Sequence, residues 1–290
     1  MRILFAGSPV IAVPALRALS EMECKRSFDN GKTSVERTVV ELAGILTNPD
    51  APQGRKKDLL PSDVSLATAD LSAERQKNGF PSIAQFKFSK LNSIAREQIA
   101  ALKCDLLVCF AYGRIFGSKF LSMFPLGGIN IHPSLLPRFR GPSPIPAAIL
   151  AGDRETGVTI QTLAGEMDAG HILAQEKIPL DGSETTATLG AAAAFVAARM
   201  LWDLIPAIAA GKTNPYPQQG EPVYCTLIKK DHGKIDWNLD AGLIDAQVRA
   251  YDPWPLCYTR WNGEDLFILE GWIFSAKNDP AAVNLSGTVL

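Results

Sequence analysis

Residues 127–141, GGINIHPSLLPRFRG, decide how this chain is read. A short apolar run leads into Asn130, Ile131 and His132, and a loop carrying Pro133, Pro137, Arg138 and Arg140 follows at once. Asn130 and His132 are one residue apart, so on a strand both side chains project to the same face. A strand ending in an amide and an imidazole needs a crevice to point them into.

The surrounding sequence supplies that setting. Runs at Arg2–Ala6, Val39–Leu46, Cys104–Ala111 and Gly128–His132 are nearly all apolar, and each is followed by Gly, Pro or Asn. Such strands suit a parallel sheet covered on both faces. Helix-length segments between them, including Ile11–Met22 and Ser89–Lys103, make the pattern βαβ and predict an α/β, Rossmann-like fold with right-handed crossovers. Two further strands, Gly157–Leu163 and His171–Pro179, flank the turn AGEMDAG and are expected to extend the sheet. Apolar residues at three- and four-residue steps predict one long helix over Thr185–Ala210. The Pro-, Gly- and Gln-rich stretch 211–222 is expected to be a linker. Beyond it, a helix over Ala241–Ala250 and strands at Leu256–Trp261 and Leu266–Ile273 around the turn WNGE suggest a small barrel-like C-terminal domain over 223–290.

Composition narrows the function. The 290 residues are 47% hydrophobic and 20% charged, with a net charge of −1, which disfavours an indiscriminate nucleic-acid surface. Residues 221–290 hold six Lys and Arg against ten Asp and Glu, so contacts with a polyanion must rest on local patches. No run approaches the roughly 18 uninterrupted apolar residues of a membrane span, and the start MRILFAGSPV does not read as a signal peptide, so a cytoplasmic location without membrane attachment is expected. Five scattered cysteines and three isolated histidines suggest neither a disulfide framework nor a metal site. AGSPVIAVPA lacks GxGxxG and no GxSxG occurs, which argues against dinucleotide binding and a serine hydrolase.

Asn130 and His132 therefore stand as candidates, with Asp168 in the AGEMDAG turn as a third. A carboxylate beside His132 would orient the imidazole and favour its protonated form, and Asn130 would add an N–H. Two such donors suit an oxygen that becomes negative during acyl transfer. Spacing alone leaves a structural reading equally open, because no sequence rule puts residue 168 beside residue 132.

INIHPSLLPRFRG together with AAILAGDRETGVTIQTLAGEMDAGHIL resembles the core of the formyltransferases that use 10-formyltetrahydrofolate. The resemblance implies that Asn130, His132 and Asp168 are catalytic. It also implies that Ser134, Leu135, Leu136 and Pro137, with Ala111, Tyr112 and Gly113, bind the folate formyl donor, with no metal. TNPDAPQGRKKDLLPSDV (47–64) is similar to the acceptor-end loop of the tRNA-directed members, which implies that Arg55, Lys56 and Lys57 contact tRNA. Arg138 and Arg140 would either join them or fix their own loop. KIDWNLDAGLIDAQVRAYDPWP (234–255) resembles the start of those members' OB-like C-terminal domain. The implied acceptor is initiator methionyl-tRNA. A catalytic domain over 1–210, before the linker, and a monomer are expected. A sugar-nucleotide or glycinamide ribonucleotide amine, formyl-donor hydrolysis, or RNA binding without catalysis are the alternatives. The polar stretch 23–38 is additional to the family pattern, and the sequence ends at SGTVL, where the family's barrel continues, as though truncated.

Overall fold

The structure, a computed structural model, describes residues 1–29, 32–37, 40–53 and 57–273. Its first part runs β1 (Arg2–Gly7), α1 (Val13–Met22), β2 (Cys24–Asp29), β3 (Lys32–Arg37), β4 (Glu41–Thr47), β5 (Ala51–Gln53) and β6 (Asp58–Leu60). There follow α2 (Asp63–Lys77), β7 (Ala84–Lys87), α3 (Ser93–Ala100), β8 (Leu106–Phe110), α4 (Ser118–Leu121), β9 (Gly128–His132) and α5 (Pro144–Leu150). The remainder is β10 (Glu155–Thr162), β11 (Ile172–Pro179), α6 (Thr186–Ala209), α7 (Ala241–Ala250), β12 (Cys257–Trp261) and β13 (Glu264–Ile268).

Seven strands form one sheet in the order β11-β10-β9-β8-β1-β4-β7. The five from β9 to β7 run parallel, while β10 and β11 are added antiparallel. The chain steps outward from β1 through β4 to β7 and then crosses back to β8 on the other side of β1. The carboxyl ends of β1 and β8 thus flank the crevice that such a reversal leaves open.

Two-residue alternation divides the strands between two cores. Ile3, Phe5, Val108, Phe110, Ile129, Ile131, Val158 and Ile160 face α1 and α6 and meet Leu16, Leu19, Leu201 and Ile205. Leu4, Ala6, Leu107 and Cys109 face the opposite side, with Ile99 of α3 and the aromatic run Tyr112, Phe116, Phe120 and Phe124. On β9 this alternation sends Asn130 and His132 to the second face.

α6 is long and apolar enough to cross a membrane by length and composition, but Leu189, Ala193, Ala197, Leu201, Leu204 and Ile205 bury one side of it in the protein. α2 and β7 lie in stretches where the apolar pattern is weak. The buried stripe of α2 includes Thr68 and Arg75, whose guanidinium pairs with Glu23 beneath the surface, so polar residues disguise its periodicity. β7 is a four-residue edge strand with only alternate residues partly buried. The polar stretch 23–38 contains the hairpin β2–β3.

α7 packs against α5, and Val248, Ala250, Tyr251 and Cys257 share a core with Ile145, Ile149 and Leu189. Among the described residues the C-terminal part has one hairpin, β12–β13, which ends at Ile268 rather than Ile273. Residues 274–290 of the expected barrel lie outside the described residues. The stretch 211–222 carries no helix or strand but does not pass freely between the two parts. Tyr216 exchanges backbone hydrogen bonds with Ile172, at 2.8 and 3.0 Å.

Candidate active site

Strand register assembles the site. β9 and β10 pair so that Asn130 faces Gln161 and His132 faces Thr159, and cross-strand partners share a face. All four polar side chains therefore point away from α1 and α6. On this side the loop 133–141 covers the sheet: Ser134 Oγ donates to Arg138 O at 2.6 Å, and Leu136 N donates to Thr159 Oγ1 at 3.1 Å.

The turn between β10 and β11 brings Asp168 to the same place. Its Oδ1 accepts from Asn130 Nδ2 at 3.2 Å and from Gln161 Nε2 at 3.0 Å. Its Oδ2 accepts from the backbone N of Gly141 at 2.9 Å and lies 3.5 Å from His132 Nδ1. Three donors thus converge on the two carboxylate oxygens. One hydrogen of the Asn130 amide is engaged, which leaves the second for a ligand oxygen.

His132 is 4% exposed, and its Nε2 lies 2.8 Å from the carbonyl oxygen of Phe139. A carbonyl only accepts, so Nε2 carries the proton and Nδ1 presents a lone pair when the ring is neutral. Burial pushes the imidazole below its ordinary value of 6.5, against the opposing pull of Asp168 and the Phe139 carbonyl. The carboxylate does favour the protonated ring, as expected, but desolvation outweighs it, and near neutral pH His132 is a proton acceptor at Nδ1.

Asn130, His132 and Asp168 border a cavity of about 590 Å³ that also takes in Ala111, Tyr112 and Gly113 after β8. Ile11, Phe110, Phe116 and Ile145 make much of its wall apolar. Ala111 and Gly113 have φ of +50° and +77°, which turns the backbone sharply around the pocket. Asn48 braces this turn: its Nδ2 donates to Tyr112 O at 3.0 Å, and its Oδ1 accepts from Arg114 Nε at 2.7 Å. Burial also pushes the Cys109 thiol, on the cavity wall, up to about 12. It is one of four free cysteines among the described residues.

Ser134, Leu135, Leu136 and Pro137 are placed differently from the expectation, for none of them lines the cavity. Ser134 and Leu136 are buried beneath the loop, where their hydrogen bonds shape the turn that carries the Phe139 carbonyl and Gly141. Of the five expected tRNA contacts, Arg55 and Lys56 lie outside the described residues, and Lys57 is exposed with φ of +54°. Arg138 makes two hydrogen bonds to Asp153, at 2.7 and 2.6 Å, and stacks 4.3 Å from the Phe139 ring centre. Arg140 is held by Gln218 and approaches Glu166 at 3.6 Å. Both arginines brace the loop through these partners.

The sequence reading did not pick out Gln161, Gln218 or the Phe139 carbonyl. The available signal for Gln161 was its place two residues after Thr159, on the polar side of a strand that alternates with Val158 and Ile160.

The formyl transferase family profile matches residues 23–205, and that of the formyl transferase C-terminal domain matches 227–290. A methionyl-tRNA formyltransferase of Treponema denticola is 45% identical over all of this chain and 85% of its own length. The chain belongs to the methionyl-tRNA formyltransferase family. Another such formyltransferase, from Chloroflexus aurantiacus, is 38% identical over the whole chain and 84% of its own length. The fold of the family recurs in solved structures. A 4-N formyltransferase from Francisella tularensis has a TM-score of 0.66 at 18% identity, covering 94% of this chain and 98% of its own. A methionyl-tRNA formyltransferase from Clostridium thermocellum gives 0.56 at 14%, covering 90% and 88%.

Proposed function

We infer that the protein transfers the formyl group of 10-formyltetrahydrofolate to the free amine of initiator methionyl-tRNA, giving the formylated aminoacyl-tRNA that starts translation. One observation carries the reading: Asn130 and His132 converge on Asp168 at a cavity sized for a small-molecule cofactor, in a chain whose full length matches relatives named methionyl-tRNA formyltransferase. About 590 Å³ of mostly apolar space suits a pterin ring. The HypX protein from Aquifex aeolicus, which shares the fold at TM-score 0.61, was solved with tetrahydrofolic acid.

The donor supplies an electrophilic N-formyl carbon, and this chain's residues do the rest. Asn130 directs its second amide hydrogen at the formyl oxygen and stabilises the charge that develops when the amine attacks. His132 Nδ1 takes the proton that the amine loses as the new C–N bond forms. The imidazolium is then stabilised by Asp168 and returns the proton to the folate nitrogen as the old C–N bond breaks. Both oxygens of Asp168 already accept from Gln161, Asn130 and the Gly141 N–H, so it steadies the cation rather than shuttling the proton.

Lys57 and its two cationic neighbours on the β5–β6 connection supply phosphate contacts for the tRNA end, and the C-terminal domain over 223–290 adds a second surface. The test is transfer of labelled formyl from 10-formyltetrahydrofolate to charged initiator tRNA, with a UDP-amino-sugar and water as competing acceptors. Formyl appearing on the aminoacyl-tRNA is expected; transfer to the sugar or release as formate alone would overturn the reading.

A further inference from the structure

We propose that Gln218, on the segment joining α6 to the C-terminal part, is a positioning residue for formyl transfer: it holds the backbone turn that sets Asp168 against His132. The inference rests on the functional reading above.

The amide of Gln218 is used at both ends. Its Nε2 lies 2.7 Å from Asp168 O, 2.9 Å from Gly170 O and 3.2 Å from Gln161 Oε1. Its Oε1 accepts from Arg140 Nε at 3.0 Å and from Nη2 at 2.7 Å. This network fixes the amide's orientation, since a flipped group would set its oxygen against two carbonyls and its nitrogen against a guanidinium.

What Gln218 grips is strained. Asp168 has φ of +53°, an unfavourable conformation for a side-chain-bearing residue, which persists only where the surroundings impose it. Gln218 binds the carbonyls of residues 168 and 170, at either side of Ala169. Gln161 closes the same turn from the sheet, accepting from Gly170 N at 3.0 Å while donating to the Asp168 carboxylate. Arg140, steered by Gln218, sits one residue before Gly141, whose N–H holds Asp168 Oδ2. One side chain thereby ties together the turn bearing the carboxylate, the strand beneath it and the loop above it.

The segment is anchored on both sides of Gln218. Tyr216 pairs with Ile172, and further on Val223 and Cys225 exchange backbone hydrogen bonds with Pro137 and Arg140, at 2.8 to 3.1 Å. Tyr224 OH donates to Glu166 at 3.1 Å. Residues 216–225 form a strap across the back of the site, and Gln218 does not line the cavity. Its loss therefore affects the chemical step rather than binding of either substrate.

The test uses the full chain with Gln218→Glu and Gln218→Leu. The first keeps the size and the link to Arg140 but sets a carboxylate against carbonyls; the second removes both interactions and serves if the first perturbs charge alone. Expected is a fall in kcat on the order of tenfold to a hundredfold, as slight misplacement of a reacting group produces, with KM for 10-formyltetrahydrofolate and methionyl-tRNA within about twofold. NMR resonances of the His132 ring should shift in both variants. Wild-type kcat in both, or a loss confined to the tRNA KM, would overturn the proposal. A wild-type protein that formylates no methionyl-tRNA would end the functional reading instead, and unmoved His132 resonances in the variants would then refute the positioning role separately.

Discussion

Asn130 and Gln161 face one another across the β9–β10 pair, and both amides converge on Oδ1 of Asp168, at 3.2 and 3.0 Å. All three border the cavity together with His132. Asn130→Ala removes the donor that the proposed mechanism directs at the formyl oxygen. A loss of kcat of roughly a hundredfold or more is expected, about 3 kcal/mol of barrier, with donor affinity little changed. Steady-state kinetics with separate folate titrations would check it.

His132 gives a pH signature. Its folded-state pKa lies below 6.5, so at acid pH the unfolded chain binds a proton that the folded chain resists. The stability this contributes is complete above about pH 6.5 and is lost as pH falls from there toward the folded-state value. His132→Gln should flatten that part of the unfolding profile. The same titration should form the acid limb of kcat, because a protonated ring cannot take the amine's proton; a limb above pH 6.5 would contradict the assignment.

Gly170 has no room for a side chain: an added Cβ would stand 1.7 Å from the carbonyl oxygen of Thr162. Gly170→Ala must push the Asp168 turn off β10. A loss of more than about 2 kcal/mol is expected, together with loss of formyl transfer, read by denaturant unfolding and single-turnover assays.

Ser134 separates a shaping role from a binding role for the loop after β9. Its buried hydroxyl donates to Arg138 O, and it does not reach the cavity. Ser134→Ala should cost about 1–2 kcal/mol of stability while folate affinity stays near wild type. A large loss of affinity at unchanged stability would instead put the serine in contact with the ligand.

Lys57 is exposed beside two cations whose positions lie outside the described residues. Replacing Lys56 and Lys57 by Ala should raise the tRNA KM and reduce the slope of log affinity against log salt by about one per lost phosphate contact. Folate binding should be unaffected. An unaltered salt slope would leave the loop as solvated surface.

Local sequence determined much of this protein. Continuous apolar runs gave β1, β4, β8 and β9 within a few residues, and three- and four-residue spacing gave α6, because strand and helix periodicity are properties of neighbouring residues. The one-residue gap between Asn130 and His132 was enough to put them on one face of β9. Tertiary structure alone decided what meets them there. Asp168 lies 38 residues from Asn130 in the chain, and Gln218 lies 50 from Asp168 and 78 from Arg140. Their approach depends on the register of β10 against β9, a left-handed turn and a strap returning from α6, none of which leaves a periodic trace. The charge of His132 was settled in the same way: sequence suggests a carboxylate nearby, but only the packed loop shows that burial outweighs it and that the Phe139 carbonyl claims the other nitrogen.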